Sequence, residues 1–85
     1  MVASIRFDSY ASSFDIKGEL YYLKSANGVQ SVKLFQRVSG ESRQYLVEIV
    51  VDDDSASEIE ERLKSAGQQY AGNISNVEVS VYREV

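Results

Sequence analysis

Asp52-Asp53-Asp54 is the densest concentration of chemically capable side chains in this 85-residue chain. Three adjacent carboxylates invite a Mg²⁺ or Ca²⁺ reading, but Ca²⁺ takes six to eight oxygens from a loop that wraps the ion. No EF-hand spacing surrounds the run. Its position just ahead of a helical pattern offers a simpler role, because negative charge is favoured at a helix N-terminus. The run therefore reads as a solvated acidic turn, and no metal site is expected. Six tyrosines are the next conspicuous group. Tyr21, Tyr22 and Tyr70 could line a ligand cavity between helices and sheet, offering phenol hydroxyls to a polar ligand. The amphipathic edge of a core accounts for them better, with each hydroxyl reaching water. A general acid/base pair would have to come from Asp, Glu, Tyr or Lys, since the chain has neither His nor Cys. Glu48 could meet Arg6 or Arg37 across a sheet, where a buried carboxylate could have a raised pKa. An ordinary cross-strand ion pair explains the same residues. With no imidazole and no thiolate there is no zinc finger, disulfide or His- or Cys-held haem, and no cofactor is expected.

The elements that would position these groups can be read from periodicity. Ser55-Ala56-Ser57-Glu58 has the form of a capping box. Ala56, Ile59, Leu63, Ala66 and Tyr70 then recur at steps of three and four, the apolar stripe of a helix. Glu60 and Lys64 stand four apart in the favourable order, and Gly72 and Asn73 can end the helix. Strands flank it. Val32 to Val38 alternates with Val32, Leu34 and Val38 on one face and Phe35 on the other. Ser39-Gly40-Glu41-Ser42 is a polar hairpin turn, and Tyr45 to Val51 is apolar at every second residue. Val77, Val79 and Val81 alternate with Glu78, Ser80 and Tyr82, and Ala3 to Phe7 forms a shorter strand carrying Ile5 and Phe7 on one face.

Residues 13–27 fit two patterns. As a helix, Ile16, Leu20, Leu23 and Asn27 share a face, Ser13 or Asp15 caps the start and Gly28 ends it. As a strand, Phe14, Ile16, Leu20 and Tyr22 alternate with polar residues, and Asn27-Gly28 makes a hairpin turn. A weak internal repeat favours the helix: Leu23-Lys24-Ser25-Ala26 recurs as Leu63-Lys64-Ser65-Ala66 within the second helical pattern. Leu34 to Val38 and Val81 to Val85 echo each other in the same chain order.

The expected order is strand, helix, strand, hairpin, strand, helix, strand, in one domain spanning 1–85. Right-handed crossovers put both helices on one sheet face, giving an α+β, ferredoxin-like βαββαβ sandwich with a four-stranded antiparallel sheet. The other face is left open, carrying Phe35, Leu46, Val50 and Tyr82 among Lys33, Arg37, Glu48 and Glu78. Four large apolar groups clustered there exceed what a monomer usually leaves wet, so a second copy is expected to cover them.

Ser25-Ala26-Asn27-Gly28-Val29-Gln30-Ser31-Val32-Lys33-Leu34-Phe35-Gln36-Arg37-Val38 resembles the dimeric α/β-barrel superfamily of ferredoxin-like proteins, in which a helix ends at Gly-Val before a strand of apolar, basic and aromatic residues. The likeness runs on loosely through Tyr45 to Asp52, the capped helix and Val81-Tyr82-Arg83. It implies a homodimer with sheets packed face to face and room for a ligand between sheet and helices. The superfamily includes cofactor-free monooxygenases, isomerases, haem-degrading enzymes and amino-acid-sensing domains. Its monooxygenases and haem degraders usually depend on His, Trp or Asn, and this chain has no His and no Trp.

Other functions that share the topology fit poorly. An RNA-binding version needs a basic-glycine-aromatic box on its third strand, whereas Arg43 to Ile49 lacks glycine and places Glu48 mid-strand. A net charge of −4 offers no basic stripe. No glycine-rich phosphate loop follows the first strand, and no Cys-x-x-Cys supports a metal chaperone. The N-terminus lacks the form of a secretory signal, no apolar run approaches the roughly 18 residues of a membrane span, and Asn73-Ile74-Ser75 is a sequon of little weight. The expectation is a cytoplasmic, homodimeric interaction or small-ligand-binding module without catalysis. A cofactor-free enzyme using Tyr and carboxylates is the alternative.

Overall fold

The structure, a computed structural model, describes residues 1–9, 18, 20–39 and 42–85, with 38, 39 and 42 described for their backbone. Four strands form one sheet: β1 (Val2–Ser9), β2 (Val29–Ser39), β3 (Ser42–Val51) and β4 (Ile74–Tyr82). Their spatial order is β2-β3-β1-β4, and every neighbouring pair is antiparallel. Between β1 and β2, Gly18 and residues 20–22 are helical and lead into a 3₁₀ turn at Leu23–Ser25. Between β3 and β4 lies the long helix, Ala56–Gln69. This small α+β arrangement of two helical segments on a four-stranded antiparallel sheet is consistent with a ferredoxin-like fold.

Of the described residues in 13–27, Gly18 and 20–25 are helical, as the repeat suggests, while Ala26 is extended and Asn27 lies in a turn, so the helical segment ends before the expected stop at Gly28. The proposed caps Ser13 and Asp15, the face residue Ile16 and the strand-pattern residue Phe14 lie outside the described residues. So does the Gly40-Glu41 turn, although Ser39 pairs with Ser42 on either side of it.

One sheet face carries the core. Ala3, Ile5 and Phe7 of β1 and Tyr45, Val47, Ile49 and Val51 of β3 alternate onto it. They form a single buried cluster with Leu20 and Leu23 of the first helical segment and Ile59 and Leu63 of the long helix. Shared membership puts both segments on this face. Phe7 and Tyr45, directly opposite across β1 and β3, stack with ring centroids 5.5 Å apart.

The long helix does not start as the sequence suggests. Asp53–Ser55 form a 3₁₀ turn leading into it, and Ser55 is itself in a right-handed helical conformation. A capping side chain needs an extended residue beneath it, and Ser55 makes no side-chain cap hydrogen bond. The acidic run instead ties three elements together. The Asp52 carboxylate accepts a 2.7 Å hydrogen bond from the Gln30 side-chain amide, and the Asp52 N–H donates to Gly28 O at 2.8 Å. Asp53 lies 3.6 Å from the Met1 ammonium, which donates to Val51 O.

Strand β4 begins three residues earlier than its valine alternation indicates, because it contains a bulge. Arg6 pairs with Glu78 but Asp8 pairs with Ser75, so β4 spends one residue more than β1. Asn76 takes the left-handed conformation there, φ 53°, as the bulged residue often does. The extra residue resets the alternation, so that Ile74 can be buried while Val79 and Val81 still pack against the same core.

Candidate functional site: the open face of the sheet

Directly opposed residues in an antiparallel sheet project to the same side. The pairing registers therefore lay out the face that no described helix covers as rows across β2, β3, β1 and β4. The first row is Ser31, Val50, Val2 and Tyr82. The second is Lys33, Glu48, Ser4 and Ser80, and the third is Phe35, Leu46, Arg6 and Glu78. Arg37, Gln44 and Asp8 begin a fourth.

Phe35, Leu46, Val50 and Tyr82 all stand on this face, but as two groups. Phe35 and Leu46 are neighbours, as are Val50, Val2 and Tyr82, and the polar second row separates them. Phe35 is 46% exposed and Tyr82 55%, while Leu46 and Val50 are half-buried. The division has a simple cause: four residues along β3 separate Leu46 from Val50, which is about 13 Å of strand.

The charges balance. Arg6, Lys33 and Arg37 face Asp8, Glu48 and Glu78, so this side is neutral by formal count while the chain carries −4. Arg6 stands opposite Glu78 and Lys33 opposite Glu48, yet neither couple closes to an ion pair. The ion pairs among the described residues are Met1 with Asp53 and Lys64 with Glu60 and Glu61. The meeting of Glu48 with Arg6 or Arg37 does not form either; the neighbours of Glu48 across the strands are Ser4 and Lys33. One polar cluster is satisfied internally. The Asp8 carboxylate accepts from the Asn76 side-chain amide at 2.8 Å and from that of Gln44 at 3.3 Å, which clamps the β4 bulge to β1 and β3. A shallow cleft of about 270 Å³ opens beside Phe35, Leu46, Arg6 and Arg37.

The three tyrosines do not share one cavity. A cleft of about 700 Å³ runs between the first helical segment and the long helix, with buried Leu20, Leu23 and Ala66 at its base and Tyr22, Glu58 and Arg62 on its walls. Tyr22 borders it and is 80% exposed; Tyr21 lies outside its lining, with the Lys24 ammonium 5.9 Å from its ring centre. Tyr70 packs half-buried against the core at the end of the long helix. Among the described residues, no three acidic side chains come together as a metal-binding group. Nor is any described helix long and apolar enough to cross a membrane.

Sequence reasoning overlooked Val2, Ser4 and Asp8 on the open face. Extending the Ile5–Phe7 alternation one step each way would have found them. Neither a scan against protein-family models nor a search of curated proteins returns a match.

Proposed function

We propose that the chain is a ferredoxin-like βαββαβ module of the dimeric α/β-barrel kind, and that it works as a non-catalytic homodimer with its two sheets packed face to face. The observation that carries this reading is the composition of the uncovered face. It holds exposed Phe35 and Tyr82 among three cations and three anions, which is self-complementary and charge-neutral in an otherwise acidic chain. A nucleic acid would want one sign of charge there, whereas a second copy supplies both. Four strands of eight or more residues offer about 500 Å² of flat area, so a pair would bury about 1,000 Å², the lower end of specific interfaces. An interface of that size belongs with the weak, transient associations, so such a pair dissociates on dilution.

The enzyme alternative draws no comparable support. Among the described residues, the carboxylates lining the inter-helix cleft, Glu58 and Glu61, are exposed on the helix surface, and a general acid or base gains its tuned pKa from burial and neighbours. Sedimentation velocity across a concentration series tests the dimer. The weight-average mass should double as the protein passes from low to high micromolar, and Phe35→Lys should stay monomeric with an unchanged circular dichroism spectrum. A wild-type chain that remains a monomer at high micromolar concentration overturns the reading.

A further inference from the structure

We infer that the two copies meet about a two-fold axis running along the strands between β1 and β3, so that each Ser4 donates its hydroxyl hydrogen to the partner's Glu48. The inference rests on the face-to-face reading above and specifies how the faces meet. Ser4 sits near the middle of the open face and is 7% exposed, yet among the described residues its hydroxyl makes no side-chain hydrogen bond. Buried hydroxyls are rarely left without a partner. Glu48, its neighbour across β3, is half-buried with no ion pair.

The register turns this into a geometric statement. Across the β1–β3 boundary, Val2 pairs with Val50, Ser4 with Glu48, Arg6 with Leu46 and Asp8 with Gln44. A two-fold axis along that boundary places each β1 side chain beneath the partner's copy of the residue it already pairs with. Val2 then meets the partner's Val50, forming an apolar layer of four valines. Ser4 meets the partner's Glu48, hydroxyl to carboxylate. Asp8 meets the partner's Gln44, repeating the acceptor–amide couple found within one chain. Arg6 lays its stem on the partner's Leu46 and brings its guanidinium toward the partner's Phe35, one strand further out, where a cation over an aromatic face is attractive.

The alternative axis, across the strands, does worse. It would set Glu48 on the partner's Leu46 and Lys33 on the partner's Phe35, and it would press Val2 on the partner's Asp8. A carboxylate desolvated against a leucine on a central strand is costly; the preferred axis also sets a carboxylate on an apolar group, Glu78 beneath the partner's Phe35, but on the outer strands and beside the Arg6 guanidinium. Either axis keeps the two strand sets near-aligned, as in aligned sheet packings, so the contacts decide between them.

The chain has no cysteine, so single-cysteine variants report on the axis directly. Sheets about 10 Å apart and strands about 4.8 Å apart put the two copies of position 4 about 11 Å apart at Cα, and those of position 37, on the outer strand, about 17 Å. Bismaleimidoethane, a short thiol cross-linker, should capture Ser4→Cys as a covalent dimer at least about ten times faster than Arg37→Cys. Both variants are treated at a protein concentration at which sedimentation shows each to be dimeric. Any other pattern in a sedimenting dimer, including capture at position 37 or at neither position, overturns the axis and leaves the dimer standing. A wild type that never dimerises removes the reading beneath it instead.

Discussion

Gly28 holds the junction where β2 begins. Its φ of +81° lies in the left-handed region, and its carbonyl accepts from the Asp52 N–H. A Cβ built there would collide with Ser55 Oγ and fall 2.7 Å from Ser55 Cβ. The hydroxyl can rotate away, but the Cβ belongs to the backbone at the entrance to the long helix and cannot. Gly28→Ala should therefore cost about 3 kcal/mol, the sum of a left-handed alanine and an overpacked contact, read as a lower urea midpoint at unchanged m-value. Combining it with Ser55→Gly should restore about half of that loss, because only the clash is relieved. Additive costs in the double-mutant cycle would show that the close approach carries no energy. The same contact explains why Ser55 is a poor capping residue here: its side chain is packed against a glycine rather than turned to the helix N–H groups.

At the scale of elements, the bulge at Asn76 decides which β4 residues meet the core. Asparagine tolerates the left-handed conformation, and its amide reaches Asp8. Asn76→Gly should keep the conformation and lose only that hydrogen bond, a change of about 1 kcal/mol or less in thermal or urea unfolding. Asn76→Val should cost at least about 2 kcal/mol, since a β-branched residue resists positive φ. Equal effects of the two would mean that the bulge is not what holds Ile74 in place. This element also marks the limit of what the sequence discloses. The long helix, the β2–β3 hairpin and the inward faces of β1 and β3 were legible because burial imposes a period on the residues themselves. Bulges were not, since the added residue breaks the period on which the reading depends. The capping box failed for a related reason: Ser55 and Glu58 have the right spacing, but a 3₁₀ turn one step upstream takes over the start. The open face was legible in its membership, Phe35, Leu46, Val50 and Tyr82, and illegible in its layout. Only cross-strand register reveals the polar row that divides them.

For the whole molecule, a chain this short draws its stability from one small cluster. Leu63 is fully buried at its centre with Ile5, Ile49 and Ile59. Leu63→Ala should remove about 3 kcal/mol from a total of about 5–10 kcal/mol, enough to lower the thermal midpoint by more than about 10 °C. An Ala variant that melts with the wild type would place the core elsewhere. The open face behaves oppositely: its substitutions should alter association while leaving unimolecular unfolding nearly unchanged. The bulges carry a wider consequence. One adds Gln30 to β2, the other a residue to β4, and these are the two outermost strands. Each rim of the sheet is thus kinked at a point where an incoming strand would need an unbroken ladder of hydrogen bonds. Lateral growth into ribbons or fibrils is thereby discouraged, which leaves the broad side of the sheet as the route by which the proposed pair would form.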